Sequence, residues 1–289
     1  MEAAKLKGII SLVVSGFGFA LMALCVRLCD DYGASISSFQ KSFFRNAVAL
    51  VIALVVFLRV KKERRDSSAS LSLSSILLLL TRSICGTVGI FANFYALSRI
   101  TIAEGQTLNK TAPFFTVIFA LIFLKERVGW RQLASLCLAF SGVLLITKPG
   151  FAGEASFSLA MGLVGGVGAG AAYTCVRALR TRGVESSLII LFFSLFSCLA
   201  SIPFIATGFD PMTWTQVLIL LGAGAGAAIG QFGVTLAYGF APPKDIAVFD
   251  YSNILFTAAF GYLFFAQVPD LFSCFGFAAI IFAAVKLAR

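Results

Sequence analysis

Four basic residues, Lys41, Arg45, Arg82 and Lys110, lie inside stretches of the chain that are otherwise apolar. Holding a cation at the centre of such a stretch costs about 2.5 to 3.5 kcal/mol even on the mildest scale, so it is kept where it points at a polar interior rather than at lipid. The chemistry open to these groups is capture of an anion, and the guanidinium of Arg82 has the fork that matches a carboxylate or phosphate. Asp250, beside Tyr251 and close to Asn253, supplies the opposite charge, suited to an amine or a coupling proton. Asn109 precedes Lys110, and the ring of Pro113 denies the Asn109 carbonyl its usual helical partner. That carbonyl then needs a side chain, water or ligand, so Pro113 predicts a kinked helix with Asn109 and Lys110 at the bend. Glu104 is a second acid able to carry a proton, although its place near a helix end also suits a helix-start charge.

The elements that must position these residues are membrane helices. The 289 residues are 59% hydrophobic, with a mean hydropathy of +0.96, more apolar than a water-facing surface tolerates. About 20 apolar residues span a bilayer core, and the chain divides into ten such stretches: 8–27, 39–58, 71–97, 101–124, 129–147, 159–179, 186–206, 213–238, 245–265 and 270–289. At a rise of about 1.5 Å per residue, Lys110 lies roughly 14 Å and Arg82 roughly 16 Å into their spans, near the middle of a core about 30 Å thick. Lys41 and Arg45 are shallower. The net charge of +10 sits mainly in the connections: 16 of the 23 basic residues fall on one side and 3 on the other. Lys and Arg bias sets orientation, which predicts cytoplasmic N- and C-termini and accounts for the net charge without nucleic acid. The seven cysteines show no disulfide or zinc spacing and read as small packing residues.

The chain also repeats itself. Leu24-Cys25-Val26-Arg27 matches Thr174-Cys175-Val176-Arg177 at an offset of 150, and Gly16 and Gly18 fall on Gly166 and Gly168. Later matches run at an offset of 141, from Gly89 with Gly230 to Phe115-Thr116 with Phe256-Thr257. Five spans per half is an odd number, so the second half (151–289) enters the membrane inverted relative to the first (1–150), an architecture of secondary transporters with sites at the repeat interface. Symmetric positions differ where function should show. Lys41, Arg45, Arg82 and Lys110 align with Ile190, Ser194, Ala223 and Tyr251, and Asn109 aligns with Asp250.

Arg82, Gly86 and Tyr95-Ala96-Leu97, followed by Ala103, Pro113, Leu124-Lys125-Glu126-Arg127, Gly142 and Lys148-Pro149, resemble the EamA-type families of the drug/metabolite transporter superfamily. The resemblance implies an all-α membrane protein of ten helices in two inverted five-helix repeats, with alternating access between them. The second half departs from the pattern, with Gln267 in place of the matching glutamate and no proline at the counterpart of Pro113. Together the readings predict a multi-pass protein of the plasma (cytoplasmic) membrane that moves a small anionic or zwitterionic metabolite, such as an amino acid. Its partners are that small-molecule substrate and the lipid bilayer, with no nucleic acid, cofactor or metal. A lipid flippase would use the same bundle with a lateral opening. An intramembrane group-transfer enzyme is the remaining alternative, but the chain has no histidine, metal-ligand spacing or nucleophile motif to serve it.

Overall fold

The computed structural model describes residues 2–34, 36–63, 71–97, 99, 107–148 and 156–288. It is all helical. We number the helices α1 (Glu2–Asp31), α2 (Ser38–Glu63), α3 (Leu73–Leu97), α4 (Thr107–Phe123), α5 (Trp130–Thr147), α6 (Ser156–Thr181), α7 (Ser186–Thr207), α8 (Trp214–Phe240), α9 (Pro243–Phe265) and α10 (Leu271–Ala288). Nine of these described helices are long and apolar enough to cross a membrane, and α4 is shorter over its described part. This is a multi-pass integral membrane protein. The junction between the predicted halves, near residue 150, lies outside the described residues.

Helix pairing follows from where the small residues are. The largest contacts join α1 to α8, α3 to α6, α5 to α10 and α2 to α7. Each pairs one of the first five helices with one of the last five. A shift of five helices turns the α1–α8 contact into the α6–α3 contact, and the α4–α6 contact into the α9–α1 contact. Glycines set these crossings, because lipid provides no hydrophobic drive for helix association and close backbone packing must supply it. A Cβ on Gly18 would lie 2.6 Å from the Gly230 nitrogen, and one on Gly168 would lie 3.0 Å from the Gly89 Cα. These two contacts are repeat counterparts of each other. In the α5–α10 pair, a Cβ on Gly142 would come within 2.6 Å of the Gly276 carbonyl oxygen.

Two helices are irregular, α4 and α9, and they are irregular at matching places. In α4 the helix gives way to a turn at Lys110 and Thr111 and resumes regularly over Ala112–Phe123. In α9 a 3-10 segment, Ala247–Tyr251, separates Pro243–Ile246 from Ser252–Phe265. The neighbours make room for both. Gly166 in α6 faces the Thr111 hydroxyl and the Leu108 carbonyl, while Gly16 in α1 faces the Ser252 hydroxyl and the Asn253 backbone. The helices also end alike: Lys125 (φ 55°) and Ala266 (φ 51°) adopt the left-handed conformation. The next N–H groups, of Glu126 and Gln267, donate to the carbonyls of Ala120 and Gly261 at 3.2 and 3.1 Å.

Pro113 takes a different part from an interior kink. It sits in the first turn of the resumed segment, where its missing N–H is one that a helix start leaves free anyway and its fixed φ already suits the helix. The break therefore comes before the proline, at Lys110 and Thr111.

Candidate functional site

Arg82 is the largest of the fully buried side chains, 1% exposed at the middle of α3. Three neighbours fix it. Its Nη2 donates to Gln231 Oε1 of α8 at 2.9 Å, and its guanidinium carbon lies 3.5 Å from the ring centroid of Phe193 in α7. Gly86, one turn along, leaves the space, since a Cβ there would be 2.8 Å from Arg82 Nη1 and 2.9 Å from Phe193. A planar cation over an aromatic face is stabilised by the ring quadrupole, most strongly when both are desolvated. Neither Gln231 nor Phe193 cancels its charge, and Nε is buried without a hydrogen-bond partner.

Lys110 stands at the break in α4. Its carbonyl, released by the turn, accepts a hydrogen bond from the Tyr251 hydroxyl at 3.2 Å. The repeat counterpart of Lys110 thus ties α9 to the break in α4. Asp250, next along α9, is buried and acts electrostatically on the Lys110 ammonium. The two are not in direct contact, because the described ion pairs, Lys148–Asp270 and Arg177–Glu126, include neither. Arg45 of α2 has the Phe19 ring 5.9 Å from its guanidinium carbon. It also lies within electrostatic reach of Arg82.

Tyr173 of α6 links these groups, being within electrostatic reach of Arg45, Arg82 and Asp250, and its ring packs 5.6 Å from that of Tyr238. Direct contacts link these groups: Arg82 bonds Gln231, the preceding Gly230 packs on the Phe19 ring that lies by Arg45, and Tyr251, next to Asp250, bonds the Lys110 carbonyl, so α1, α2, α3, α4, α8 and α9 all contribute. Asn109 is half-buried beside Lys110. Asn253 is turned away, its side-chain amide donating to the Gly16 carbonyl at 3.0 Å, which fastens α9 to α1. Glu104 lies outside the described residues.

Sequence reasoning missed Tyr173 and Gln231, yet a signal for both was present. Their repeat counterparts are Ala23 and Ile90, so the comparison of symmetric positions that singled out the charges would have found them had it been extended to uncharged polar residues. Phe193 carried no such signal, because its counterpart Phe44 is the same residue.

The ends of the bundle are closed by polar contacts, most of them between the first and second halves of the chain. At one end Arg177 Nε pairs with Glu126 at 3.0 Å and Arg177 Nη1 donates to the Tyr238 carbonyl at 3.1 Å. Gln132 Nε2 there donates to Asp245 at 2.9 Å. At the other end the Gln40 side chain makes two bonds with the Asp210 backbone, at 2.8 and 3.0 Å. The Asp210 carboxylate accepts from the Ser37 N–H at 2.7 Å.

Comparison with known proteins gives this arrangement a context. A pseudopaline exporter of Pseudomonas aeruginosa is 29% identical over 283 residues, covering 98% of this chain and 96% of its own. A riboflavin transporter of Vibrio cholerae is 28% identical, covering 91% and 87%, and an S-adenosylmethionine uptake transporter of Rickettsia bellii is 23% identical, covering 92% and 90%. A solved crystal structure, 17% identical, shares the fold with a TM-score of 0.77 across 98% of this chain and 96% of that one. Residues 6–148, which hold Arg45, Arg82 and Lys110, match the model of the EamA-like transporter family. The first half of the chain, residues 6–148, belongs to the EamA-like transporter family, and relatives named as transporters align along nearly the whole length.

Proposed function

We propose that the protein is a secondary transporter for a small anionic or zwitterionic metabolite, with the substrate held among Arg82, Lys110 and Asp250. The observation that carries this reading is a set of ionised side chains inside the membrane domain that are not satisfied by one another. Arg82 is buried against neutral partners, and Lys110 and Asp250, joined through Tyr251, form no ion pair with each other. Charged groups at this depth are retained for a substrate or ion path. Arg82 and Lys110 suit a carboxylate or phosphate, and Asp250 suits an amine or a coupling proton. The relatives carry different named cargoes, so the cargo of this chain is argued from its own side chains.

Movement follows from the pairing of helices across halves. In an alternating-access cycle the two sets of five helices rock about the site, so that the contacts closing one end part while those at the other form. The basic bias of the connections supports placing both termini in the cytoplasm and the protein in the plasma membrane.

The test is a thermal-stability screen of a metabolite library on the purified protein, since a ligand that binds the folded state raises its stability. Flux of any hit into proteoliposomes is then compared between wild type and Lys110→Met. Hits among anions and zwitterions, with flux lost in a folded variant, are expected. Hits confined to cations, or wild-type flux in Lys110→Met, would overturn the reading.

A further inference from the structure

We propose that the substrate carries a net charge of about −2, with several anionic groups and a single ammonium on one small molecule. This rests on the transport reading above and deepens it. Three cations, Arg45, Arg82 and Lys110, and one carboxylate, that of Asp250, meet through short chains of contacts: Arg45 lies over Phe19, Gly230 packs on that ring, the adjacent Gln231 accepts from Arg82, and Tyr251, next to Asp250, bonds to the Lys110 carbonyl. The partners the protein supplies to the cations are neutral. Arg82 has an amide oxygen and an aromatic face, Arg45 has an aromatic ring, and Lys110 has no direct ion pair.

Four other described acids are committed at the ends of the bundle. Glu126 is paired with Arg177, Asp270 with Lys148, Asp245 is held by Gln132, and Asp210 by Ser37. Asp250 is the described acid beside the cluster, and one carboxylate against three cations leaves two positive charges uncompensated. In an interior of low dielectric these repel one another and attract anions far more strongly than in water. A ligand that matches the cluster places one anionic group on each cation and its ammonium on Asp250. Three carboxylates on one amine have that composition, and so does a carboxylate with a doubly charged phosphate and an amine.

Arg45 and Lys110 are partly accessible rather than fully buried. Their donors are free to meet such a ligand. Selection follows from the count of charges, since an amino acid with one carboxylate leaves two cations unmatched.

Four probes of similar size test the proposal by thermal unfolding of the purified protein and by competition in proteoliposomes. They are L-serine with a net charge of about 0, L-glutamate with about −1, and nitrilotriacetate and O-phospho-L-serine, each with about −2. Apparent affinity is expected to rise about tenfold with each added negative charge, with nitrilotriacetate and phosphoserine tightest. Removing one positive charge should move the optimum by one unit, so that in Lys110→Met the glutamate response equals or exceeds that of nitrilotriacetate. Gln231→Glu neutralises Arg82 without emptying space and should move the optimum the same way, which keeps the test valid should the lysine variant misfold. Equal responses to serine and nitrilotriacetate, no response to any probe, or an unchanged order in both variants would overturn the charge assignment. Charge-ordered binding without flux would sustain it and refute the transport reading instead.

Discussion

Replacing Gln231 by leucine and by glutamate separates what holds Arg82 from what Arg82 is for. The wild-type contact is a 2.9 Å hydrogen bond from a cation to a neutral amide oxygen, both residues buried. Hydrogen bonds to charged groups contribute about 1.5 to 3 kcal/mol. Leucine removes the acceptor and strands a buried donor beside the already unpartnered Nε, so Gln231→Leu should lower stability by about 2 kcal/mol or more. Glutamate keeps the shape and adds a negative charge. Attraction across about 4 Å at an effective dielectric near 20 is about 4 kcal/mol, and desolvating the new carboxylate costs several kcal/mol. The two nearly cancel, and Gln231→Glu should unfold close to the wild-type temperature. Its effect falls on the ligand, which meets a guanidinium already neutralised. A loss of about 3 kcal/mol, or roughly 100-fold in affinity, is expected for nitrilotriacetate. Thermal unfolding in detergent, with and without a titration of that probe, reads both quantities. Wild-type affinity in Gln231→Glu, or wild-type stability in Gln231→Leu, would refute the reasoning.

Three further outcomes follow from the structure. Arg82→Lys retains the charge but loses the planar face over Phe193 and the fork, so it should weaken nitrilotriacetate binding at least tenfold in the same titration, because the two side chains are not equivalent at a stacked site. Tyr251→Phe removes the donor to the Lys110 carbonyl and should cost about 1 kcal/mol of stability, seen as a fall in Tm. Gly142→Val drives a side chain into the Gly276 carbonyl, 2.6 Å from the first added carbon; overpacking of this kind costs about 1 to 3 kcal/mol, and because the α5–α10 contact lies apart from the site, probe affinity in the fraction that folds should stay within twofold of wild type.

The helices could be read from the sequence because a membrane span is a matter of length and apolarity, and the ten apolar stretches coincide with the ten helices to within a few residues where the chain is described. Charges in those stretches stand out for the same reason, which is how Arg82, Lys110 and Asp250 were singled out. The neutral members of the site are harder to see. A buried glutamine or tyrosine costs little enough that it does not interrupt an apolar pattern, so Gln231 and Tyr173 pass for ordinary helix residues until Arg82 and Asp250 are placed beside them. Asn253 shows the converse: a polar residue three positions from Asp250, it turns to the backbone of α1, where its amide donates to the Gly16 carbonyl. The role of Pro113 depended on where the helix restarts, and the ambiguity between an interior kink and a first-turn proline is one that local sequence does not resolve.

The unequal closure of the two ends has a kinetic consequence. Glu126 and Arg177, only 16% and 15% exposed, bolt one end. Their repeat counterparts at the opposite end are Gln267 and Arg27, and there Arg27 rests over the Phe265 ring, 5.2 Å from its centroid, with no ion pair among the described residues. Parting a half-buried ion pair costs about 2 kcal/mol, between the values for exposed and buried pairs, which corresponds to about 30-fold in a population. In the alternating-access cycle proposed above, this pair adds its cost to the half-cycle that opens its end while Arg27 and Gln267 add none at the other, so the two half-cycles differ by it. Glu126→Gln should level them, bringing labelling rates at the two mouths together.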